Sequence, residues 1–218
     1  MIPLRDVIPS RTFPFVTITI IVLNAAAWIL ELSLSPEDLE RFLFIYGVVP
    51  ANFHFPTLFT SMFLHGSWSH ILGNMWYLWI FGDNVEDQFG HGKFVVFYVL
   101  CGVAAAFGHM LLNAGSMLPT IGASGAIAGV MGAYFIMYPH SRVLTLVPIF
   151  LYDVIEVPAI ALLGFWFLMQ LFSAGAVATA TSGTGGGVAF AAHVAGFLVG
   201  MGGVFVFRKR DARWEVGG

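Results

Sequence analysis

The chain has 218 residues, of which 58% are hydrophobic and only 10% are charged. A soluble domain carries about 25% charged residues, so this composition excludes an ordinary water-soluble globule and predicts a membrane protein. The net charge of −3 excludes a nucleic-acid partner, and the single cysteine, Cys101, excludes an internal disulfide and disfavours a cysteine-ligated metal.

Six apolar segments have lengths near the roughly 20 residues that an α-helix needs to cross a bilayer. They predict a single all-α membrane domain, residues 1–218, with spanning helices at about 13–32, 69–86, 93–112, 122–138, 155–174 and 188–207. A soluble helical bundle would need polar helix faces, which these segments lack. Because Met1–Thr12 is polar and contains proline, we expect no cleavable signal peptide.

The connections between the predicted helices differ in length and composition. Residues 33–68 form a long mixed loop with several prolines, in which we expect short helices lying in the membrane interface. Residues 177–187 are rich in Thr, Ser and Gly, so we expect a flexible loop there. The sequence has no internal repeat, which leaves an inverted-repeat transporter without support.

Basic residues set the predicted orientation, because Lys and Arg concentrate on the cytoplasmic side of membrane proteins. With a cytoplasmic N-terminus, only Arg41 of the nine basic residues lies outside. The others, all inside, are Arg5, Arg11, Lys93, Arg142, Arg208, Lys209, Arg210 and Arg213. An even number of helices returns the C-terminus to the same side. We therefore predict a multi-pass protein of the cell membrane, plasma or inner, with both termini cytoplasmic.

Two polar residues, His70 and Asn74, lie one turn apart near the start of the second predicted helix. A polar side chain in hydrocarbon is costly and is a candidate site residue by default. The i, i+4 spacing puts both on one helix face, and both side chains can donate hydrogen bonds. Alone, the pair also fits an interfacial histidine and a helix–helix hydrogen bond.

A serine, Ser124, lies at the start of the fourth predicted helix, in the sequence Gly122-Ala123-Ser124-Gly125. The first turn of a helix has unpaired backbone N–H groups, which together with the helix dipole suit a developing oxyanion. Flanking glycines allow close backbone approach. Alone, the motif also fits a small packing residue in a Gly/Ala-rich membrane helix.

A histidine, His193, lies in the first turns of the sixth predicted helix, on a face that continues through Gly196 and Gly200. The fourth helix presents Ala128 and Gly132 below its serine. Two faces of small residues let helix backbones approach closely, which would bring the hydroxyl and the imidazole into hydrogen-bond reach. Alone, the histidine also fits a buried ring bonded to a carbonyl.

His70, Asn74, Ser124 and His193 are predicted to lie at a similar depth in the membrane. Helices two, four and six all start on the outer side in the predicted topology, and each polar residue lies within about two turns of its helix start. At 1.5 Å rise per residue, all lie roughly 10 Å below the outer boundary. Packing residues with unrelated roles would not be expected to share one depth on one side of the membrane.

The remaining polar residues are assigned structural roles. These are His54, His65, His91, His109, His140, Glu31, Glu156 and Gln170. The sequence has no His-Glu-x-x-His and no Gly-x-Gly-Asp, which disfavours a zinc or a paired-aspartate mechanism. We expect no metal and no cofactor.

Four motifs stand out along the chain: His65 to Asn74 (HGSWSHILGN), Gly82 to Asp87 (GDNVED) with Gly90, Gly92 and Lys93, Gly122 to Ala126 (GASGA), and Ala192 to Gly196 (AHVAG) with Gly200. In their residues and their order, these motifs resemble the rhomboid family of intramembrane serine proteases. Pro3-Leu4-Arg5-Asp6 is similar to bacterial members. The resemblance covers nearly the whole chain and implies a six-helix rhomboid-like bundle.

The resemblance also implies roles for individual residues. Ser124 would be the nucleophile and His193 its general base, while Asn74, His70 and the Ser124 N–H would line an oxyanion hole with Gly122 nearby. The substrates would be single-span membrane proteins cut near the outer face. No Asp or Glu lies between Glu156 and Asp211 to orient the histidine, so we predict a dyad.

Two positions depart from the family pattern. A Trp-Arg pair of the first loop is replaced by Pro56-Thr57, and a tyrosine that stacks on the catalytic histidine in some members is replaced by Ala128. We expect the fifth helix to act as a lateral gate, with Trp166 and Phe165 as candidate gate residues. The segment Ala178 to Gly187 is a candidate lid.

Two other classes of function stay open at this point. A non-catalytic membrane-protein binder or quality-control factor on the same fold would be expected to lack the serine or the histidine. A small transporter would need polar groups through the full depth of the membrane, whereas here they cluster in the outer half. The expected partners of an enzyme are transmembrane substrates and the lipid bilayer; the oligomeric state is not predicted.

Overall fold

A computed structural model of the protein describes residues 1–148, 152–179 and 189–209. Its α-helices are α1 (Phe15–Ser33), α2 (Pro36–Tyr46), α3 (Thr57–Thr60), α4 (Trp68–Phe89), α5 (His91–Leu112), α6 (Ser124–Met137), α7 (Ala159–Thr179) and α8 (Phe190–Phe207). Residues 177–179 of the predicted flexible loop 177–187 belong to α7. The rest of that loop, and with it most of the candidate lid Ala178 to Gly187, lies outside the described residues.

The described helices that are long and apolar enough to cross a membrane are α1, α5, α7 and α8. Helix α4 has 22 residues but carries three carboxylates near its end, at Asp83, Glu86 and Asp87. Helix α6 has 14 residues, so it is only about 21 Å long. The protein is therefore mostly helical, with an apolar exterior that suits a bilayer.

Helix α6 forms the centre of the bundle, because α4, α5, α7 and α8 all pack against it. Every residue from Gly125 to Tyr134 is buried. The closest approach is to α8, where a Cβ atom placed on Gly200 would overlap the backbone of Gly129 and would lie only 2.6 Å from its Cα. Small residues on both helices thus remove the side-chain layer that normally separates two helix backbones.

The described residues also form three strands, β1 (Ile2–Asp6), β2 (Arg142–Pro148) and β3 (Tyr152–Pro158). They make one antiparallel sheet in the order β1–β2–β3. Strand β1 pairs with β2 through Ile2 opposite Leu146, with a register shift between Pro3 and Arg5. Strands β2 and β3 pair from Arg142 opposite Pro158 to Pro148 opposite Tyr152.

The strands correct the predicted all-α class and the predicted start of the fifth helix at residue 155. Strands β2 and β3 are rich in Val, Ile and Thr, which favour a pleated, half-buried surface over a helix. Pro158 also disfavours helical geometry at Val157 before it, so α7 begins only at Ala159. In so apolar a chain, this β-branched stretch resembled a helix end.

The carboxylate of Glu86 fixes the start of α1 against α4. It is buried and accepts hydrogen bonds from the backbone N–H of Val16 (2.9 Å) and from the N–H (2.8 Å) and hydroxyl (2.7 Å) of Thr17. His91 Nδ1 lies 2.6 Å from Oε1, the oxygen that also accepts the Val16 bond. A negative charge at a helix N-terminus satisfies unpaired N–H groups and the helix dipole, so this contact orients α1.

Asp6 on β1 should make the stability of the folded protein depend on pH. Its carboxylate accepts a hydrogen bond from the Tyr134 hydroxyl of α6 (2.7 Å). Burial raises the pKa of Asp6 from 3.8 to about 6, and the nearby charge of Asp83 on α4 acts in the same direction. Folding therefore favours the protonated acid. This contribution to stability is complete below about pH 4 and is lost as pH rises through about 6.

We expect Asp6→Asn to gain thermal stability relative to wild type as pH rises from 5 to 7.5, because the amide carries no ionisation cost. The measurement is the difference in Tm between variant and wild type in detergent micelles at each pH. A difference that stays flat or falls over that range would contradict this account of Asp6.

Candidate active site

The predicted hydroxyl and imidazole meet between α6 and α8. Ser124 Oγ lies 2.8 Å from Nε2 of His193, which is hydrogen-bond distance. His193 is only 8% exposed. A buried imidazole bonded to a serine through one nitrogen can take the hydroxyl proton as the oxygen attacks, which is the arrangement that nucleophilic catalysis requires.

The small-residue faces of α6 and α8 produce this distance. Gly196, three residues after His193 on α8, lies against the backbone of Gly125, the residue after Ser124. A side chain larger than hydrogen at Gly196 would overlap the Gly125 carbonyl. The two helices therefore touch beside the pair, and each functional side chain needs to bridge only a short gap.

Ser124 is the first residue of α6, so its backbone N–H belongs to the unpaired first turn. The chain reaches it through Gly122, whose φ of +121° favours glycine. The N–H of Gly122 donates to the Ser61 carbonyl (2.9 Å). A Cβ at Gly122 would lie 2.7 Å from His70 Nε2, so the absence of a side chain lets that ring approach the start of α6.

His70 and Asn74 of α4 both turn toward the start of α6. The N–H of Gly66 lies 3.4 Å from His70 Nδ1, which assigns the ring proton to Nε2 on the side facing Gly122. Asn74 Nδ2 lies 2.9 Å from His65 Nε2 and close to Gly122. The two side chains thus supply N–H donors on the same side of the site as the Ser124 backbone N–H.

His65 holds the Asn74 amide in this orientation. Its ring is buried, and its backbone N–H is bonded to the carboxylate of Glu31 on α1 (3.2 Å to each oxygen). Burial lowers the pKa of His65 to about 4, so the ring is neutral near pH 7. A neutral ring can accept the Asn74 hydrogen bond. Sequence reasoning missed this role, although His65 stands nine residues before Asn74 in the same motif.

A cavity of about 1530 Å³ lies over the pair. Its walls come from α4, α5, α6, α7 and α8 and from the connection before α6. Besides His70, Asn74, Ser124 and His193, polar lining residues include Ser67, His109 and Thr120. The cavity is large enough for a segment of extended peptide together with water.

The two candidate gate residues of α7 differ in position. Trp166 lines the cavity, and its ring centroid is 5.8 Å from that of His193. Phe165 is 55% exposed and is absent from the cavity lining. One turn beyond Trp166, Gln170 Oε1 lies 2.7 Å from His193 Nδ1. The sequence had suggested a structural role for Gln170; its i, i+4 spacing from Trp166 was the available signal.

The other polar residues lie in varied surroundings. His109 Nε2 is 2.8 Å from the Thr120 hydroxyl in the cavity wall. Glu156 pairs with Arg142 across β2 and β3 (3.3 Å). His54 and His140 are exposed.

The two positions that depart from the family pattern are both packed inside the protein. Ala128 is buried against Gly196, so a tyrosine at this position would have to displace α8. Pro56-Thr57 begins α3, where Thr57 is buried.

The chain is similar to known proteins both at the level of a family and at the level of individual sequences. Residues 52–210 match the family model described as Rhomboid domain. The chain is 27% identical over 192 residues to Rhomboid-like protein 11, chloroplastic, of Arabidopsis thaliana, which covers 82% of this chain and 63% of that protein.

Two further relatives are shorter matches. Rhomboid protein 1, mitochondrial, of Saccharomyces cerevisiae is 31% identical over 91 residues, 40% of this chain and 26% of that protein. Rhomboid protease GluP of Bacillus subtilis is 30% identical over 128 residues, 57% of this chain and 24% of that protein. The chain thus spans less than two thirds of the length of each of these relatives.

These relatives correct the predicted location. The sequence predicted a plasma or inner cell membrane from hydropathy and the distribution of basic residues. The names of the Arabidopsis and yeast proteins are chloroplastic and mitochondrial, which points to an organellar membrane instead. Hydropathy and charge bias reveal a bilayer and an orientation across it, and they carry no information about which organelle holds that bilayer.

Proposed function

The chain belongs to the rhomboid family, which includes intramembrane serine proteases, and we propose that it is a serine endopeptidase that cuts single-span membrane proteins within the bilayer. The observation that carries the proposal is the 2.8 Å contact between Ser124 Oγ and His193 Nε2 at the base of a large cavity. Family membership agrees with the motifs that predicted it. The catalytic roles of the individual residues are part of the proposal.

The proposed topology has six spans, α1, α4, α5, α6, α7 and α8, with both termini on the side that carries most of the basic residues. Helix α6 is short because an irregular segment precedes it. Irregular backbone at membrane depth is tolerated where it lines a water-filled cavity, and residues 112–121 line the cavity described above. The site then opens toward the face opposite the basic residues.

Acylation starts when His193 Nε2 accepts the proton of the Ser124 hydroxyl. The oxygen attacks the substrate carbonyl carbon and forms a tetrahedral intermediate with a negatively charged oxygen. The Ser124 N–H, the Asn74 amide and His70 Nε2–H stabilise that charge, with Gly122 leaving room beside them. The imidazolium then protonates the leaving amine, and the C–N bond breaks to leave an acyl-enzyme.

Deacylation repeats these steps with water. His193 takes a proton from a water molecule in the cavity, the resulting hydroxide attacks the ester, and the Ser124 oxygen leaves with the proton returned by the histidine. The cavity supplies the water that a site inside a bilayer would otherwise lack. A substrate helix hides its carbonyls in hydrogen bonds, so we expect cleavage where glycine or proline weakens that helix.

The test is cleavage of a single-span reporter by the protein in liposomes. We expect one principal cut near the membrane boundary opposite the basic residues, and faster cleavage of reporters with a Gly or Pro near the cut. Ions or solutes should not cross the liposome membrane, since a transporter would let them pass. An intact reporter after prolonged incubation with folded wild-type protein would refute the proposed activity.

The proposed role of Asn74 in stabilising the oxyanion can be tested separately. We expect Asn74→Ala to lower kcat by about 10²–10³-fold with little change in KM, because the lost hydrogen bond forms only as charge develops. The matched control is Leu72→Ala on the same helix, where the side chain is 61% exposed. Equal effects of the two substitutions, or a change confined to KM, would remove Asn74 from the oxyanion site.

A further inference from the structure

Gln170 adds a third side chain to the hydrogen-bonded pair of Ser124 and His193. His193 Nδ1 lies 2.7 Å from Gln170 Oε1, and Nε2 of the same ring lies 2.8 Å from Ser124 Oγ. The three side chains come from α7, α8 and α6 and form a continuous line. We propose that Gln170 is a positioning residue that fixes the tautomer and the orientation of the His193 ring; this inference rests on the proposed function.

The hydrogen bond to the Gln170 amide determines which nitrogen of the His193 ring carries the proton. A glutamine carbonyl oxygen only accepts, so a bond from Nδ1 to Oε1 requires the ring proton on Nδ1. Nε2 is then unprotonated and can take the proton of Ser124. The opposite tautomer would have a proton on Nε2 and could not act as a base. In triads a buried carboxylate does this work by holding the imidazole in the correct tautomer.

A neutral amide suits this depth better than a carboxylate would. Gln170 is half-buried on α7, which is among the helices apolar enough to span the membrane. A carboxylate there would carry a large desolvation cost, whereas an amide pairs with the imidazole at a smaller one. An amide stabilises the His193 imidazolium less than a carboxylate would, but it still fixes the tautomer of the ring.

The neighbouring residues explain why the ring needs this partner. Ala128, one turn after Ser124 on α6, is buried against Gly196 of α8 and gives the imidazole no aromatic ring to stack on. Trp166 lies against the ring at a centroid distance of 5.8 Å and an interplanar angle of 35°. Since Trp166 and Gln170 are one turn apart on α7, this helix supplies both the wall and the hydrogen bond that hold the ring.

Gln170→Leu and Gln170→Glu separate a positioning role from simple packing. We expect Gln170→Leu to slow labelling of Ser124 by a fluorophosphonate roughly 10–100-fold, because the tautomer and the ring angle are no longer fixed. Gln170→Glu keeps an acceptor at the same distance and should restore most of the labelling. Met169→Leu, on the exposed side of the same turn, is the control and should label as wild type does.

The pH profile adds a readout that packing would not move. A carboxylate at position 170 stabilises the imidazolium, so the acidic limb of labelling in Gln170→Glu should shift to higher pH. Within the described part of the chain, the other titratable side chains with an electrostatic effect on His193 are His70 on α4 and His109 on α5, and both are unchanged in this variant. An unshifted limb would contradict direct contact between residue 170 and the ring.

The ring itself can be observed by ¹⁵N NMR of histidine-labelled protein. We expect the His193 resonances of wild type to report a proton on Nδ1, and those of Gln170→Leu to report a mixture of tautomers. An unchanged tautomer with a lower Tm in Gln170→Leu would overturn the proposal in favour of packing. If folded wild type fails to label while the Nδ1–H tautomer is present, the enzyme proposal fails and the positioning contact stands.

Discussion

Ser124→Ala and His193→Ala are each expected to reduce reporter cleavage by roughly 10⁴–10⁶-fold, to the background of the assay. In the proposed mechanism the serine supplies the attacking oxygen, and the histidine, whose Nε2 lies 2.8 Å from that oxygen, removes its proton. Because the two act as a unit, the double variant should be no slower than either single variant. The measurement is the initial rate of reporter cleavage in liposomes at equal protein.

A loss of folding must be separated from a loss of chemistry in these variants. Ser124→Ala removes a single oxygen atom, so we expect its Tm in detergent to stay near that of wild type; His193→Ala removes a buried ring, so its Tm is measured beside its activity. Tyr77→Phe is a useful control, because Tyr77 lines the same cavity without belonging to the pair. Cleavage at the wild-type rate in either Ser124→Ala or His193→Ala would end the dyad account.

Gly200→Val is expected to destabilise the bundle strongly, because it forces α6 and α8 apart. A Cβ at this position would overlap the Gly129 carbonyl of α6, and backbone atoms cannot turn aside as a flexible side chain can. Overpacking a tight core typically costs 1–3 kcal/mol and sometimes more, and a β-branched residue adds further atoms. We expect a large fall in Tm together with loss of activity, since α6 and α8 carry the pair.

Gly202 is the matched control on the same helix. It is exposed, and a Cβ there would meet no other atom within 4 Å. Gly202→Ala should therefore leave activity unchanged and raise stability by about 0.5–1 kcal/mol, because alanine is the better helix former. Equal tolerance of Gly200→Val and Gly202→Ala in detergent melts would show that the close contact between α6 and α8 is not needed.

The small-residue faces were visible in the sequence, and so was the chemistry they support. Gly196 and Gly200 follow His193 at helical spacing, and together with the small residues Ala128 and Gly132 of the facing helix this pattern predicted that the imidazole could come within reach of Ser124. The start of α6 was equally readable from the glycines around Ser124. Both features are local: they depend on residue type and spacing within one helix, and the sequence states those directly.

The features that sequence reasoning missed depend on contacts between distant parts of the chain. Gln170 is an ordinary polar residue on an apolar helix until α7 packs beside α8 and meets Nδ1 of His193. His65 acquires its role only because α4 turns Asn74 back toward it. Strand β1 pairs with β2, more than 130 residues later, and no pattern local to either segment reveals that pairing.

The central claim is that His193 activates Ser124 for attack, and active-site labelling tests it most directly. Folded wild-type protein would be treated with a fluorophosphonate, digested, and analysed by mass spectrometry to identify the modified residue. The account predicts one adduct, on Ser124, which disappears in His193→Ala and after unfolding. Labelling of a different serine, or no adduct on folded protein, would contradict it.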